Sequence, residues 1–263
     1  MKVERLLDIF VPRAPRTKSK SNIYHIIMRG INRQAIFEDI EDREKFIQTL
    51  QKYKDICRFK LYAYCLMDNH LHLLLMVDKE PLETVIRRIC GSYVLGYNNK
   101  YDRVGNLFQD RFKSEPVEND KYFVTALRYI LQNPVKAGIV TKIEDYRWTN
   151  YTDYIKKNNM TDADFVIDIF SKDRKKGLEK FLEYINTQND DKCMEISDRH
   201  LIRDDDARKI IKDHCKVDQG IELQKLDKHE RDTYLKDLKE KYGLSIRQIE
   251  RLTGINRGIV QRV

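Results

Sequence analysis

The sequence has few of the features that tie a chain to a membrane or to an oxidising compartment. Its five cysteines, Cys57, Cys65, Cys90, Cys193 and Cys215, are odd in number and scattered, and no two form a CxxC pair. Such usage argues against a disulfide framework or a structural zinc site and fits reduced thiols in a cytoplasm. No apolar run approaches the roughly 20 residues that span a bilayer. The opening stretch MKVERLLDIFVPRAPRTKSK lacks a hydrophobic segment followed by a small-residue cleavage site, so it does not read as a secretory signal. There is no internal repeat, no low-complexity tract and no P-loop for a nucleotide phosphate.

What is abundant is charge. Charged residues make up 35% of the chain and hydrophobic ones 41%, the proportions of a globular protein with a densely charged surface. At 263 residues, one large domain or two smaller ones could bury a core. The formal net charge of +8 is uneven: residues 1–156 hold 27 Lys and Arg against 20 Asp and Glu, while 157–263 hold 23 against 22. A basic first part suits a polyanionic partner, because neutralising phosphates releases their counterions.

Patterning divides the chain further. Residues 1–20 read as a basic, proline-containing arm. NIYHIIMRGIN has strand composition and stops at Gly30, and a helix follows from Ile40 to about Ile56 with Glu41 and Asp42 in its first turn. FKLYAYCLM and HLHLLLMV read as strands on either side of Asp68-Asn69, a tight-turn pair. From Pro81, the residues Leu82, Val85, Ile86, Ile89, Tyr93 and Leu95 recur at helical spacing towards Tyr101. VGNLFQDRFKSEPVE reads as a loop and a strand. DKYFVTALRYILQNPVKAGIV reads as a helix that starts at Asp120 and stops near Asn133-Pro134, since proline cannot continue the hydrogen-bond ladder. The order β-α-β-β-α-β with a helix appended predicts an α+β domain, a ferredoxin-like split βαβ antiparallel sheet. Beyond about residue 160 no strands are apparent and the charge balance changes. The expected organisation is therefore a domain over 21–156, a helical spacer over 157–230 and a separate helical segment over 231–263. The polar stretches KKNNMTD and NTQNDDK read as linkers.

Within the apolar run CLMDNHLHLLLMV stand His70 and His72. Strand side chains alternate faces, so these two share one face, with Leu71 and Leu73 on the opposite, core side. Two neutral imidazoles side by side are half of a divalent-metal site; the alternative is a pair of surface or hydrogen-bonded core histidines. His25, in the first strand, and His200, His214 and His229, in the helical tail, read as structural or solvent-facing. On the later helix Tyr129 and Asn133 are four apart and share a face, and Asn133, preceding a proline, is expected at a frayed end where its amide can turn outward. A phenol, with an ordinary pKa of about 10, is a weak nucleophile. It becomes useful against a phosphate that a metal has already polarised. An amide oxygen suits Mg²⁺ or Mn²⁺ as a further ligand. Tyr129 as a plain core aromatic is the alternative.

Taken together, YCLMDNHLHLLL, GNLFQDRFK and RYILQNPVKAGIV, with IYHIIMRGINRQAIF before them and YRWTNY after, resemble the single-tyrosine HUH transposase domain, and within it the REP-associated tyrosine transposases of bacteria. The likeness runs from about Ile23 to Tyr154. It implies that His70, Leu71 and His72 are the family's histidine–hydrophobic–histidine motif, Tyr129 the nucleophile and Asn133 the helix-borne metal ligand, where some relatives carry glutamine. MDNH stands here where MPNH is more usual, which alters the turn. The implied activity is attack of Tyr129 on single-stranded DNA at hairpin or palindromic sites, with Mg²⁺ or Mn²⁺ as cofactor. It leaves a 5′-phosphotyrosine and a free 3′-hydroxyl, and a second 3′-hydroxyl reverses the step to join strands. Arg29, Arg33, Arg111 and Lys113 are then candidate backbone contacts, with Phe108 and Phe112 as candidate stacking platforms; surface charge and core packing are the alternatives. Trp148 reads as core. The resemblance further implies a cytoplasmic, nucleoid-associated protein with no membrane partner, as a monomer or a homodimer.

The stretch YGLSIRQIERLTGINRGIVQRV yields two short helices from Leu244, Ile249, Leu252, Ile255 and Val260, with Gly254 at the turn and Asn256 able to cap the second. It resembles a helix-turn-helix with Arg257, Gln261 and Arg262 on the helix that would enter DNA; a charged helical hairpin is the alternative. Two other readings of the whole chain stand beside the transposase. One is a DNA- or RNA-binding regulator on the same scaffold. The other is a metal-dependent hydrolase of a small molecule, which would require carboxylates beyond Asp68.

Overall fold

The computed structural model describes residues 16–156, 158–194 and 204–263, so most of the expected basic arm (1–15) and His200 lie outside the described residues. The chain forms two compact units, Met1–Ile196 and Ser197–Val263. Among the described residues no helix is long and apolar enough to cross a membrane, and all five cysteines are free.

In the first unit, β1 (Ile23–Arg29), β2 (Lys60–Leu66), β3 (His70–Met76) and β4 (Lys113–Pro116) form one antiparallel sheet in the order β2-β3-β1-β4. The helix α1 (Ile40–Cys57) joins β1 to β2, and α2 (Leu82–Lys100) joins β3 to β4. This is the expected split βαβ arrangement: β3 is inserted between the two strands that α1 connects. Tyr24, Ile26, Met28, Leu71, Leu73 and Leu75 pack with Phe46 and Leu50 of α1 and Val85, Ile86, Ile89 and Tyr93 of α2. The opposite face, with Ile23, Ala63, Cys65 and Leu74, packs under α3 (Asp120–Lys136) through Phe123, Leu127 and Ile130. Both faces of the sheet are covered, which is why β1 and β3 look almost continuously apolar.

Local chemistry sets the element ends. Asp39 caps α1 in a reciprocal capping box with Asp42. The β2–β3 hairpin turns on Asp68 and Asn69 as expected, closed by Met67 N donating to His70 O at 2.9 Å. On α2 the buried stripe passes through Tyr93 and Tyr97, whereas Leu95 is 65% exposed and takes no part in the core. Helix α3 does not stop at Asn133; it runs through Pro134 to Lys136. In the last turn a proline forfeits a single hydrogen bond. The turn is closed instead by Ala137 N donating to Asn133 O at 2.9 Å, and Gly138 ends it at φ +70°. Asn133 is therefore held inside the helix and is not frayed.

The first unit also extends past residue 156. The helices α4 (Tyr151–Lys156), α5 (Ala163–Phe170) and α6 (Arg174–Asn186) add Tyr154, Val166, Ile167, Phe181 and Ile185 to the core beneath α3. The expected linkers are structural. In KKNNMTD, Met160 is buried; the Asp162 that follows it exchanges bonds with Leu61 (both 2.8 Å) and pairs with Lys54 at 2.8 Å. Further along the outer edge of β2, Tyr64 N donates to Asn150 Oδ1 at 2.9 Å and Leu66 N to Trp148 O at 3.0 Å. NTQNDDK runs along α3: Gln132 Nε2 donates to the carbonyls of Ile185 and Thr187, and Arg128 is paired with Asp191 at 2.7 Å. The segment 157–230 is thus no spacer. Its first part completes the first unit, and its last part belongs to the second.

The second unit holds α7 (Asp204–Cys215), a 3₁₀ turn (Gly220–Lys225), α8 (Lys228–Glu240), α9 (Ile246–Thr253) and α10 (Arg257–Arg262). Its core joins Ala207 and Ile211 of α7 to Leu235, Leu238, Leu244, Ile249, Leu252, Ile255 and Val260, so this body begins well before residue 231. Ser245 caps α9 and Asn256 caps α10, while Gly254, at φ +68°, turns the chain between them.

Asn150 is fully buried and joins Tyr62 O, Tyr64 N and Thr161. Asn150→Ala leaves a buried N–H unpaired and is expected to destabilise the first unit by about 1–3 kcal/mol, whereas Leu95→Ala should stay within about 0.5 kcal/mol. Urea unfolding followed by fluorescence measures both, because the single tryptophan, Trp148, lies in this unit.

Candidate active site

The site is set by strand register. Across β1 and β3, Arg29 stands opposite His70, Ile27 opposite His72 and His25 opposite Leu74. Directly opposed residues share a face, so His25, Arg29, His70 and His72 all project towards α3, and Leu71 and Leu73 project away from it. On β4, Lys113 lies opposite Ile27 and Glu115 opposite His25, extending the same face.

Helix α3 crosses this face with Tyr129 and Asn133 one turn apart. The His70 and His72 rings stand edge to face with centroids 5.2 Å apart, and Tyr129 lies 5.8 Å from His72. The Asn133 carboxamide reaches His72 Nε2 at 3.4 Å. His70 and His72 each have Nδ1 engaged, in His70 by Asn69 Oδ1 at 2.7 Å and in His72 by His25 Nε2 at 3.1 Å. Nε2 is thus the nitrogen that both rings leave for the site. Lys136 Nζ lies 5.1 Å from the centre of the Tyr129 ring and is anchored by Asn189 Oδ1 at 3.1 Å. Tyr129 is 5% exposed.

Burial dominates the electrostatics. It pushes the His25 imidazole down to about 3. It holds His72 well below the ordinary histidine range, helped by His25 and His70. His70 is lowered by burial and then by the Arg29 charge, against opposing contributions from Asn133 and Asp68. All three rings are neutral at physiological pH, with lone pairs available. Two imidazoles and one carboxamide, with His72 Nε2 turned towards Asn133, form a donor set that fits a divalent cation. Among the described residues no three His, Cys, Asp or Glu side chains converge in metal-binding geometry.

The other expected site residues divide by position. Arg29 borders His70, and Lys113 is exposed on the imidazole face. Arg33 and Arg111 are exposed on the loops that follow β1 and precede β4. Phe108 does not belong to the site: half-buried, it packs against the α1–α2 core with Tyr93 6.4 Å away. Phe112 packs against the same core and its ring is covered by the Arg16 guanidinium at 3.7 Å. Arg257, Gln261 and Arg262 are exposed on α10. Among the remaining histidines, His214 is structural, bonded to Asp237 at 3.0 Å and Tyr242 at 3.2 Å. The residue that sequence reasoning misses is His25. Its only signal is that it shares a strand face with Ile23 and Ile27, and that becomes meaningful once the pairing of β1 with β3 is known.

Residues 18–133 match the family described as transposase IS200-like. A Haemophilus influenzae protein named as a REP-associated tyrosine transposase is 24% identical over 149 residues, covering 51% of this chain and 81% of that protein. Among solved structures, a REP-associated tyrosine transposase bound to a REP hairpin aligns with a TM-score of 0.48 and 17% identity, over 57% of this chain and 93% of its own. A transposase from Deinococcus radiodurans aligns with a TM-score of 0.33 and 17% identity, over 45% and 95%. The matched span 18–133 contains all four strands, the three strand histidines, Tyr129 and Asn133. Through that span the chain is similar to the IS200-like transposase family.

Proposed function

We propose that the first unit is an HUH-type transposase nuclease that cleaves and rejoins single-stranded DNA at hairpin or palindromic sites through a 5′-phosphotyrosine on Tyr129. The observation that carries this reading is the convergence of a phenol, two imidazoles and a carboxamide on one sheet face bordered by Arg29 and Lys113. In the cleavage step the Tyr129 oxygen bonds to phosphorus, the P–O3′ bond breaks, and the phenolic proton passes through solvent to the leaving 3′-oxygen. Joining is the reverse: a 3′-hydroxyl attacks the phosphotyrosine and the phenol is released, so the bond energy is kept and no nucleotide is consumed.

His70, His72 and Asn133 would hold a divalent ion, Mg²⁺ or Mn²⁺, which when bound supplies positive charge to the non-bridging oxygens. None of these donors is anionic. The scissile phosphate itself balances the charge, so metal and DNA should each tighten the other's binding. Arg29 and Lys113 offer further contacts to the DNA backbone. Tyr122 is a poor competitor as nucleophile. Its hydroxyl is bonded to the Glu115 carboxylate, and burial together with that carboxylate pushes its pKa up.

The second unit supplies a helix-turn-helix reader of duplex DNA. Residues 239–263 contain six Lys and Arg against two Glu, and Arg257, Gln261 and Arg262 stand on the exposed side of α10 while Val260 anchors its other side in the core.

Incubated with a labelled single-stranded hairpin and Mn²⁺, the protein should form an SDS-resistant adduct that Tyr129→Phe abolishes while DNA binding changes little. An adduct that survives Tyr129→Phe overturns the assignment of the nucleophile, and binding without any adduct in the parent favours a regulator. His70→Ala and Asn133→Ala should lower both cleavage and Mn²⁺ affinity, read by titration. Arg257→Ala with Arg262→Ala should weaken duplex binding and flatten its dependence on salt by about two phosphate contacts, as measured by fluorescence anisotropy across a salt series, without loss of the adduct on single strands.

A further inference from the structure

His25 is 0% exposed in the middle of β1, a costly place for an imidazole. Its Nε2 lies 3.1 Å from His72 Nδ1, and the two rings stack at 5.3 Å with their planes 24° apart. Its Nδ1 has no hydrogen-bond partner among the described residues. Its ring also meets that of Tyr129 at 6.0 Å and 64°, so it is wedged between His72 and the phenol. An apolar side chain would fill this position without stranding a nitrogen, and packing alone therefore does not account for an imidazole here.

Proton placement supplies a reason. A neutral imidazole carries one N–H, on Nδ1 or on Nε2. His72 Nε2 is the nitrogen that faces Asn133, 3.4 Å away. It can offer a lone pair only if the His72 proton sits on Nδ1, and an N–H there requires an acceptor. His25 Nε2 is within hydrogen-bond distance of that nitrogen. His25 must then keep its own proton on Nδ1, the atom left without a partner.

We infer that His25 is a positioning residue that accepts the Nδ1–H of His72, fixes the tautomer presenting Nε2 to a divalent cation, and holds the Tyr129 ring against the same imidazole. The inference rests on the metal-binding reading of His72 given above. His25 fills the place that a carboxylate or a carbonyl oxygen takes behind many metal-bound histidines. Unlike a carboxylate, the His25 ring in that place is a neutral acceptor.

The test is Mn²⁺ affinity of the full chain without DNA, read from the EPR signal of free Mn²⁺, with thermal unfolding to establish that each variant folds. His25→Leu removes the acceptor and should weaken Mn²⁺ binding about 10–100-fold. His25→Gln places an amide oxygen near the position of Nε2 and should recover affinity to within about threefold of the parent. His25→Asn is polar but too short to reach His72 and should behave like the leucine variant; it stands in for that variant if leucine prevents folding. A folded His25→Leu or His25→Asn chain that binds Mn²⁺ as the parent does reduces His25 to a packing residue and overturns the inference, while the metal site survives. If His72→Ala also leaves Mn²⁺ affinity unchanged, the metal reading itself fails and the inference falls with it.

Discussion

The antiparallel register of β1 against β3 is the constraint on which the site depends. With Ile27 opposite His72 and Arg29 opposite His70, three imidazoles, a guanidinium and the edge lysine of β4 all face the same way. A slip of one residue in β3 would turn His70 and His72 into the α1–α2 core, and the same slip in β1 would turn His25 and Arg29 there. The register is protected by what lies behind it: Ile26, Met28, Leu71 and Leu73 pack under α1 and α2, where no histidine could be satisfied. Burial on one face therefore specifies the chemistry on the other.

Much of this is legible in the sequence. The strand and helix order follows from alternation, from helical spacing and from turn residues such as Asp68-Asn69, and the split βαβ topology follows from that order. The pairing of His70 with His72 needs only a period of two, and that of Tyr129 with Asn133 only a spacing of four. What is not legible depends on contacts between segments distant in sequence. His25 gains meaning from a neighbour 47 positions away. Leu95 is a different case: two residues past Tyr93, it falls off the stripe through Leu82, Val85, Ile86, Ile89, Tyr93 and Tyr97, and helical spacing by itself turns it to solvent. Phe108 looks like a stacking platform in a basic loop, but a bridge between Gly30 and Phe108 folds it into the opposite layer.

The two polar stretches expected to be linkers show a different limit. Composition cannot distinguish a solvated tether from a segment whose polar side chains are committed to backbone groups elsewhere. Asp162 and the nearby Asn150 serve the edge of β2, while Asn189 and Asp191 serve Lys136, Gln132 and Arg128 on the outer side of α3. Those three helix residues are spaced four apart, so one stripe of α3 is held from behind while another presents Tyr129 and Asn133 to the sheet. The helix that carries Tyr129 and Asn133 is thereby held along two stripes. Its orientation comes partly from residues far beyond the span in which the family likeness lies.

The occupied margin of β2 limits how copies of this fold can assemble. Its outward amides at Leu61, Tyr64 and Leu66 are taken by Asp162, Asn150 and Trp148 of the same chain, so no foreign strand can dock there without first displacing an intramolecular partner. Any continuous sheet shared by two molecules has only the short β4 border left to use, and Pro116 deprives that border of a donor. The architecture thus closes one flank of its sheet to domain swapping and to fibrillar stacking.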